Sequence, residues 1–159
     1  AQGLSQGLGI TRAEAQSHID NYFAGHPNVK VLRDEVLAQC VKQGFVTTLA
    51  GRKRYLPEIN SRNVMLKRQA ERQAFNTVLQ GTAADLIKQA MLNADAEIEK
   101  KGLSYRMLLQ VHDELVFEAP EKDAKACAEF VARVMGAAMK LKVPLTVDAG
   151  IGDNWLEAK

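Results

Sequence analysis

The 159-residue sequence predicts an α+β fold in which helices pack on one face of a small antiparallel sheet. Three observations carry that expectation. Apolar residues recur at helical spacing over several long stretches, and two pairs of β-type runs are each joined by a tight turn. The composition, 25% charged and 47% hydrophobic, is that of a soluble globular chain rather than a collagen-like, disordered or mucin-like one. A chain of this length buries one core, or one and a part of another.

The elements follow in order. Thr11-Arg12-Ala13-Glu14 has the S/T-x-x-E spacing of a capping box, in which the threonine oxygen and the glutamate each satisfy an orphan backbone donor. A helix is expected from there to about Ala24, stopping at Gly25 with Pro27 beyond. Val29, Val31, Leu32, Val36, Leu37 and Val41 then predict a second helix ending at Gly44. Phe45–Leu49 and Arg52–Leu56 flank Ala50-Gly51 as a hairpin closed by Pro57. From Asn63 to Lys101 the chain is helix-forming and lacks proline, but Gly81 costs helix stability and Thr82 with Asp85 has N-cap character. Two helices meeting at a bend near Gly81 are expected. Tyr105–Val111 and Glu114–Glu118 read as a second hairpin turning at His112-Asp113. A helix over about Glu121 to Lys140 and a short strand at Pro144–Asp148 complete the order.

No apolar run reaches the roughly 18 residues of a membrane span, and Ala1-Gln2-Gly3-Leu4-Ser5 does not open a secretion signal. With only Cys40 and Cys127, far apart in sequence, the expectation is two inert core thiols in a reducing, aqueous compartment. The net charge of +2 conceals a basic block over residues 51–72, followed by an acidic tail from His112 onward. A solvated surface explains such a pattern. So does a protein that holds phosphates and metal ions in neighbouring places.

Three constellations carry candidate chemistry. In Leu108-Leu109-Gln110-Val111-His112-Asp113-Glu114-Leu115-Val116-Phe117-Glu118, three polar titratable residues sit between apolar strands. A carboxylate fixed on a tight turn, with a second acid adjacent, supplies the oxygen donors that Mg²⁺ requires, so Asp113 and Glu114 are the candidate metal ligands. Plain turn chemistry also accounts for His112-Asp113. Second, Arg68, Arg72, Asn76 and Gln80 each lie four residues from the next, a step of about 400° that keeps them in one slowly drifting helical stripe. Guanidinium and amide groups can donate to the acceptors that every base pair presents in the minor groove, checking duplex shape without reading sequence. Leu66, Ala70, Ala74 and Phe75 supply a buried side opposite. An exposed face of solvated ion pairs is the alternative. Third, the small residues of Gln80-Gly81-Thr82-Ala83-Ala84-Asp85 permit close backbone approach, by another helix or by nucleic acid. Arg52-Lys53-Arg54 is a weaker signal, with Arg52 a candidate phosphate contact.

Leu109-Gln110-Val111-His112-Asp113-Glu114-Leu115 resembles motif C of the family A DNA polymerases. Ala70-Glu71-Arg72, Asn76 and Gln80-Gly81-Thr82-Ala83-Ala84-Asp85 resemble the helix pair upstream of it in that family. Thr48–Pro57, Val143-Pro144-Leu145 and Asn154-Trp155 also match, so the resemblance runs in order along the entire chain. It departs at Gln2, where many relatives have an aromatic residue, and at Val78, often proline.

The resemblance implies a helical part of the fingers over residues 1–60 and a portion of the palm, with motif C, over 61–159. It implies that Asp113 is one of two aspartates holding two catalytic Mg²⁺ ions, with Glu114 a supporting carboxylate and His112 close to the primer end. Arg68, Arg72, Asn76 and Gln80 would contact primer-template DNA. The reaction implied is attack of the primer 3′-oxygen on the α-phosphate of a dNTP. Motif A, with the other aspartate, and the nucleotide-binding motif B lie upstream of these motifs in the family and have no counterpart here. The chain is therefore expected to be the C-terminal piece of a cytoplasmic, nucleoid-associated polymerase, inactive without its N-terminal part and with no membrane partner. A non-catalytic DNA-binding module is the competing reading, and a Mg²⁺-dependent nuclease using His112 as base ranks behind both.

Overall fold

Residues 1–158 are described by a computed structural model. A first helix, α1 (Gln2–Leu8), which the periodicity did not announce, ends at Gly9 with φ 66°. Thr11 then caps α2 (Arg12–Gly25): its Oγ1 accepts from the Glu14 amide at 3.2 Å, and the Glu14 carboxylate accepts from the Thr11 amide at 2.9 Å. The Thr11 hydroxyl also donates to the Glu14 carboxylate at 2.8 Å, and that bond, with the one from the Thr11 amide, holds the Glu14 carboxyl below its ordinary pKa. Pro27 opens α3 (Pro27–Gln43), where its missing N–H is not needed, and Gly44 closes it in the left-handed conformation.

Strands β1 (Phe45–Thr47) and β2 (Lys53–Tyr55) pair antiparallel, with Phe45 opposite Tyr55 and Thr47 opposite Lys53. A 3₁₀ turn at Pro57–Asn60 leads to α4 (Val64–Lys101), whose first amides at Met65 and Leu66 are accepted by the Asn63 side chain. The last two pairing strands are β3 (Arg106–Val111) and β4 (Glu114–Glu118), and a 3₁₀ turn at Glu121–Asp123 precedes α5 (Ala124–Gly136).

Two compact units result, Ala1–Leu79 and a second from Gln80 onward. In the first, α3 contributes Val36 and Cys40, β1 Val46, and α4 Ala70 and Ala74, around Leu56 and Ile59. Ile59 retains 1% of its exposure, a burial worth about 2 kcal/mol. In the second, Ala94 of α4 meets Cys127, Phe130, Val131 and Val134 of α5, with Phe117 of β4 packed against them. Glu97 accepts from Lys101 at 2.7 Å and from Arg133 at 2.9 Å, and both cations lie over the Phe130 ring, 5.5 Å from its centre.

The α+β class holds, with four corrections. The strands form two separate two-stranded sheets rather than one. The expected pair of helices around Gly81 is a single 38-residue helix, because one glycine costs only about 1 kcal/mol and no proline removes a backbone donor. The expected helix over 121–140 begins with the 3₁₀ turn and ends at Gly136. Residues 144–148 keep the inward-outward alternation of a strand, Leu145 and Val147 being more covered than Thr146 and Asp148, but they join no ladder. Alternation records which side faces the protein; a strand also needs a hydrogen-bonding neighbour. Both cysteines are buried and free, and burial pushes both thiols up. Among the described residues no helix is long and apolar enough to cross a membrane.

Candidate functional site

The hairpin of β3 and β4 closes with Val111 opposite Glu114, leaving His112 and Asp113 as the two central residues of the turn. His112 adopts φ 55°, the one non-glycine residue with positive φ among those described. A two-residue turn with positive φ at its first central position alone has the sign pattern of the II′ class, which matches the twist of antiparallel strands. Upstream, an irregularity between Met107 and Leu109 makes Leu108 an extra residue in β3. Bulges of this kind re-aim the side chains that follow.

His112, Asp113 and Glu114 are all exposed. Among the described residues no hydrogen bond or ion pair engages the side chain of Asp113 or Glu114, so their carboxylate oxygens are available to an external cation or donor. Adjacent free carboxylates match the oxygen preference of Mg²⁺. They are a partial set: no group of three or more His, Cys, Asp or Glu residues among those described could hold a metal ion.

The stripe expected from four-residue spacing lies on α4, with Arg68, Arg72, Asn76 and Gln80 all exposed. None of their side chains has a hydrogen-bonding or ionic partner among the described residues. The face across from Arg72 and Asn76 is anchored as expected by Ala70 and Ala74, at 2% and 0% exposure, but not by Leu66, which is 44% exposed, and Phe75 is half-buried. Leu66 lies in the first turn of α4, ahead of the core contributed by α3 and β1.

The three consecutive bases of the first hairpin divide. Arg54 donates from Nη1 to Thr77 Oγ1 at 3.1 Å, and that hydroxyl donates to the Gln73 carbonyl at 2.6 Å, tying β2 to α4. Lys53 lies 4.8 Å from the centre of the Phe45 ring. Arg52, exposed, donates its backbone N–H to Thr48 Oγ1 at 3.2 Å at the hairpin turn. Sequence reasoning singled out Arg52 as a phosphate contact and assigned no role to Lys53 or Arg54. It also passed over Gln110, whose side-chain amide donates to the carbonyl oxygen of His112. Its position two residues before a strained turn residue was the only available signal.

The family model described as DNA polymerase family A matches residues 1–157. DNA polymerase I of Pseudomonas aeruginosa is 48% identical over 158 residues, covering 99% of this chain and 17% of the relative. The thermostable DNA polymerase I of Thermus aquaticus is 46% identical over 159 residues, covering 100% of this chain and 19% of the relative. Among solved structures, the POL domain of Pol1 from M. smegmatis, in complex with DNA primer-template and dNTP, superposes with a TM-score of 0.93 at 44% identity, covering 98% of this chain and 28% of that one. The chain thus spans less than a fifth of the length of these curated relatives.

Proposed function

Because the chain belongs to DNA polymerase family A, we propose that it supplies motif C and a duplex-holding helix to template-directed DNA synthesis in a longer polymerase. The observation that carries the reading is the Asp113-Glu114 pair, exposed where the hairpin turns into β4, with its carboxylates unengaged among the described residues in a chain matched by the family from residue 1 to 157. The M. smegmatis relative was solved with primer-template DNA and dNTP, which supports the same two partners for this chain.

In this proposal Asp113 holds Mg²⁺, with Glu114 beside it as a supporting carboxylate, and the second ligating aspartate comes from elsewhere in the longer protein. When bound, the metal ions activate the primer 3′-oxygen and neutralise charge on the departing pyrophosphate. The chain's own residues do the positioning. Arg68, Arg72, Asn76 and Gln80 donate to minor-groove acceptors of the primer-template duplex, Arg52 meets a phosphate, and His112 lies close to the primer end. The new bond joins the primer 3′-oxygen to the α-phosphorus, the proton of that hydroxyl passes to solvent, and pyrophosphate leaves with the electrons of the broken P–O bond. No side chain here has to act as a general base.

Residues 1–60 are assigned to the fingers and 61–159 to the palm, the boundary falling where the 3₁₀ turn at Pro57–Asn60 gives way to α4. A cytoplasmic, nucleoid-associated setting belongs to the same proposal. The deciding experiment is Asp113→Asn in a polymerase of full family length containing this chain. Primer extension should be abolished while primer-template affinity stays within about twofold. Retained extension overturns the assignment, and Mg²⁺ binding unchanged by the substitution favours a DNA-binding module without catalysis.

A further inference from the structure

The turn that presents Asp113 is held in a conformation that its own residues disfavour. Histidine at φ 55° crowds its Cβ against the backbone, a position in which two-residue hairpins ordinarily use glycine. Asparagine and aspartate hold such a position through short side chains that bond locally, whereas the His112 side chain makes no such bond among the described residues. The compensation comes from the preceding strand. Gln110 reaches over Val111, and its Nε2 donates to the carbonyl oxygen of His112.

That carbonyl belongs to the peptide group joining His112 to Asp113. A donor fixed on it sets the tilt of the peptide plane, and the tilt sets the direction in which the Asp113 Cα–Cβ bond leaves the turn. Gln110 itself is anchored, being paired with Leu115 in the ladder, while its exposed side chain has no packing duty in either core. We propose that Gln110 is a positioning residue for Asp113, acting through the His112 carbonyl to keep the carboxylate in one orientation. The inference rests on the assignment of Asp113 made above and extends it by one residue.

Outer partners that orient a metal-binding carboxylate typically change activity by 10- to 100-fold when removed. The test compares two variants in a polymerase of full family length containing this chain. Gln110→Met keeps the length of the side chain and removes the donor; Gln110→Arg keeps N–H donors within reach. For Gln110→Met the expected result is a kcat lower by roughly tenfold, with KM for dNTP and primer-template affinity within about twofold. A second readout is independent of turnover: amide hydrogen exchange in the peptide spanning residues 108–118 should quicken in Gln110→Met. Gln110→Arg should recover both.

Unchanged turnover, unchanged exchange, an equal loss of primer-template binding, or failure of Gln110→Arg to recover either readout overturns the proposal. The Asp113→Asn control separates the two readings. Should it retain extension, the assignment of Asp113 fails; should it abolish extension while Gln110→Met behaves as the parent, only the role of Gln110 fails.

Discussion

A carboxylate at the tip of a two-residue turn has little freedom of its own, since the ladder on either side fixes where its backbone goes. Asp113 sits between Val111 and Glu114, the closing pair of β3 and β4, and its side chain is exposed and unengaged among the described residues. Such a group is poorly explained as a packing residue. Removing its charge should therefore spare the fold and strike turnover: Asp113→Asn is expected to lower kcat by at least about 100-fold, in line with losing one fixed charge-stabilising group. The melting temperature of the variant, measured alongside, should stay within a few degrees of the parent. At this scale the sequence was most informative. Three titratable residues between two apolar strands marked the turn, but φ 55° at His112 and the Gln110 bond to its carbonyl depend on backbone geometry that residue identities do not encode.

At the scale of elements, α4 has two occupations along one face and its reverse. Ala70 and Ala74 are buried in the core they share with Val36 and Cys40 of α3 and Val46 of β1. Arg68, Arg72 and Asn76 are left outward, long-armed and unpartnered among the described residues. Arg72→Ala should weaken primer-template binding to a similar degree across unrelated sequences, and Gln80→Ala should do likewise; fluorescence anisotropy on duplexes of different composition checks this. For Arg72→Ala the slope of affinity against salt should fall by about 1 if the guanidinium also neutralises a phosphate. A loss confined to one sequence would contradict minor-groove contact.

The same helix fastens to α5 through Glu97. Hydrogen bonds from Arg133, and secondarily from Lys101, hold its carboxyl down to about 2 from the ordinary 4.5. Because the folded value is the lower one, the contribution to stability is complete above about pH 4.5 and is lost as pH falls toward 2. The melting temperatures of the parent and of Glu97→Gln should differ by a constant amount at neutral pH and converge across that acidic window. Glu97 is 34% exposed, so the difference should be small and should shrink with added salt. Convergence at neutral pH would exclude the bridge as a source of stability.

At the scale of the whole molecule, one aspartate with an adjacent glutamate is an incomplete ligand set for two metal ions, and no group of three or more metal-binding side chains occurs among the described residues. The 159-residue chain alone is therefore expected to show no template-dependent primer extension in Mg²⁺, even at high concentration, whereas a polymerase of full family length containing it should extend. Extension by the isolated chain, purified free of host polymerase, would count against the division of labour proposed here.

Local chemistry was legible wherever an element is specified by its own residues. The Thr11–Glu14 capping box, Gly44 at the end of α3, the two hairpins and the stripe along α4 each follow from interactions spanning only a few positions. Family membership was legible too, because the motifs recur in order along the chain and residues 1–157 match the family. Pairing and orientation were decided only by the folded chain. Whether residues 144–148 are a strand depends on a neighbour to bond with, whether Gly81 breaks α4 depends on the helix around it, and what Lys53 and Arg54 touch depends on Phe45 and Thr77 coming near. These are outcomes of contacts between distant segments. A hydrogen bond or a packed face needs both partners in place, and sequence pattern supplies only one of them at a time.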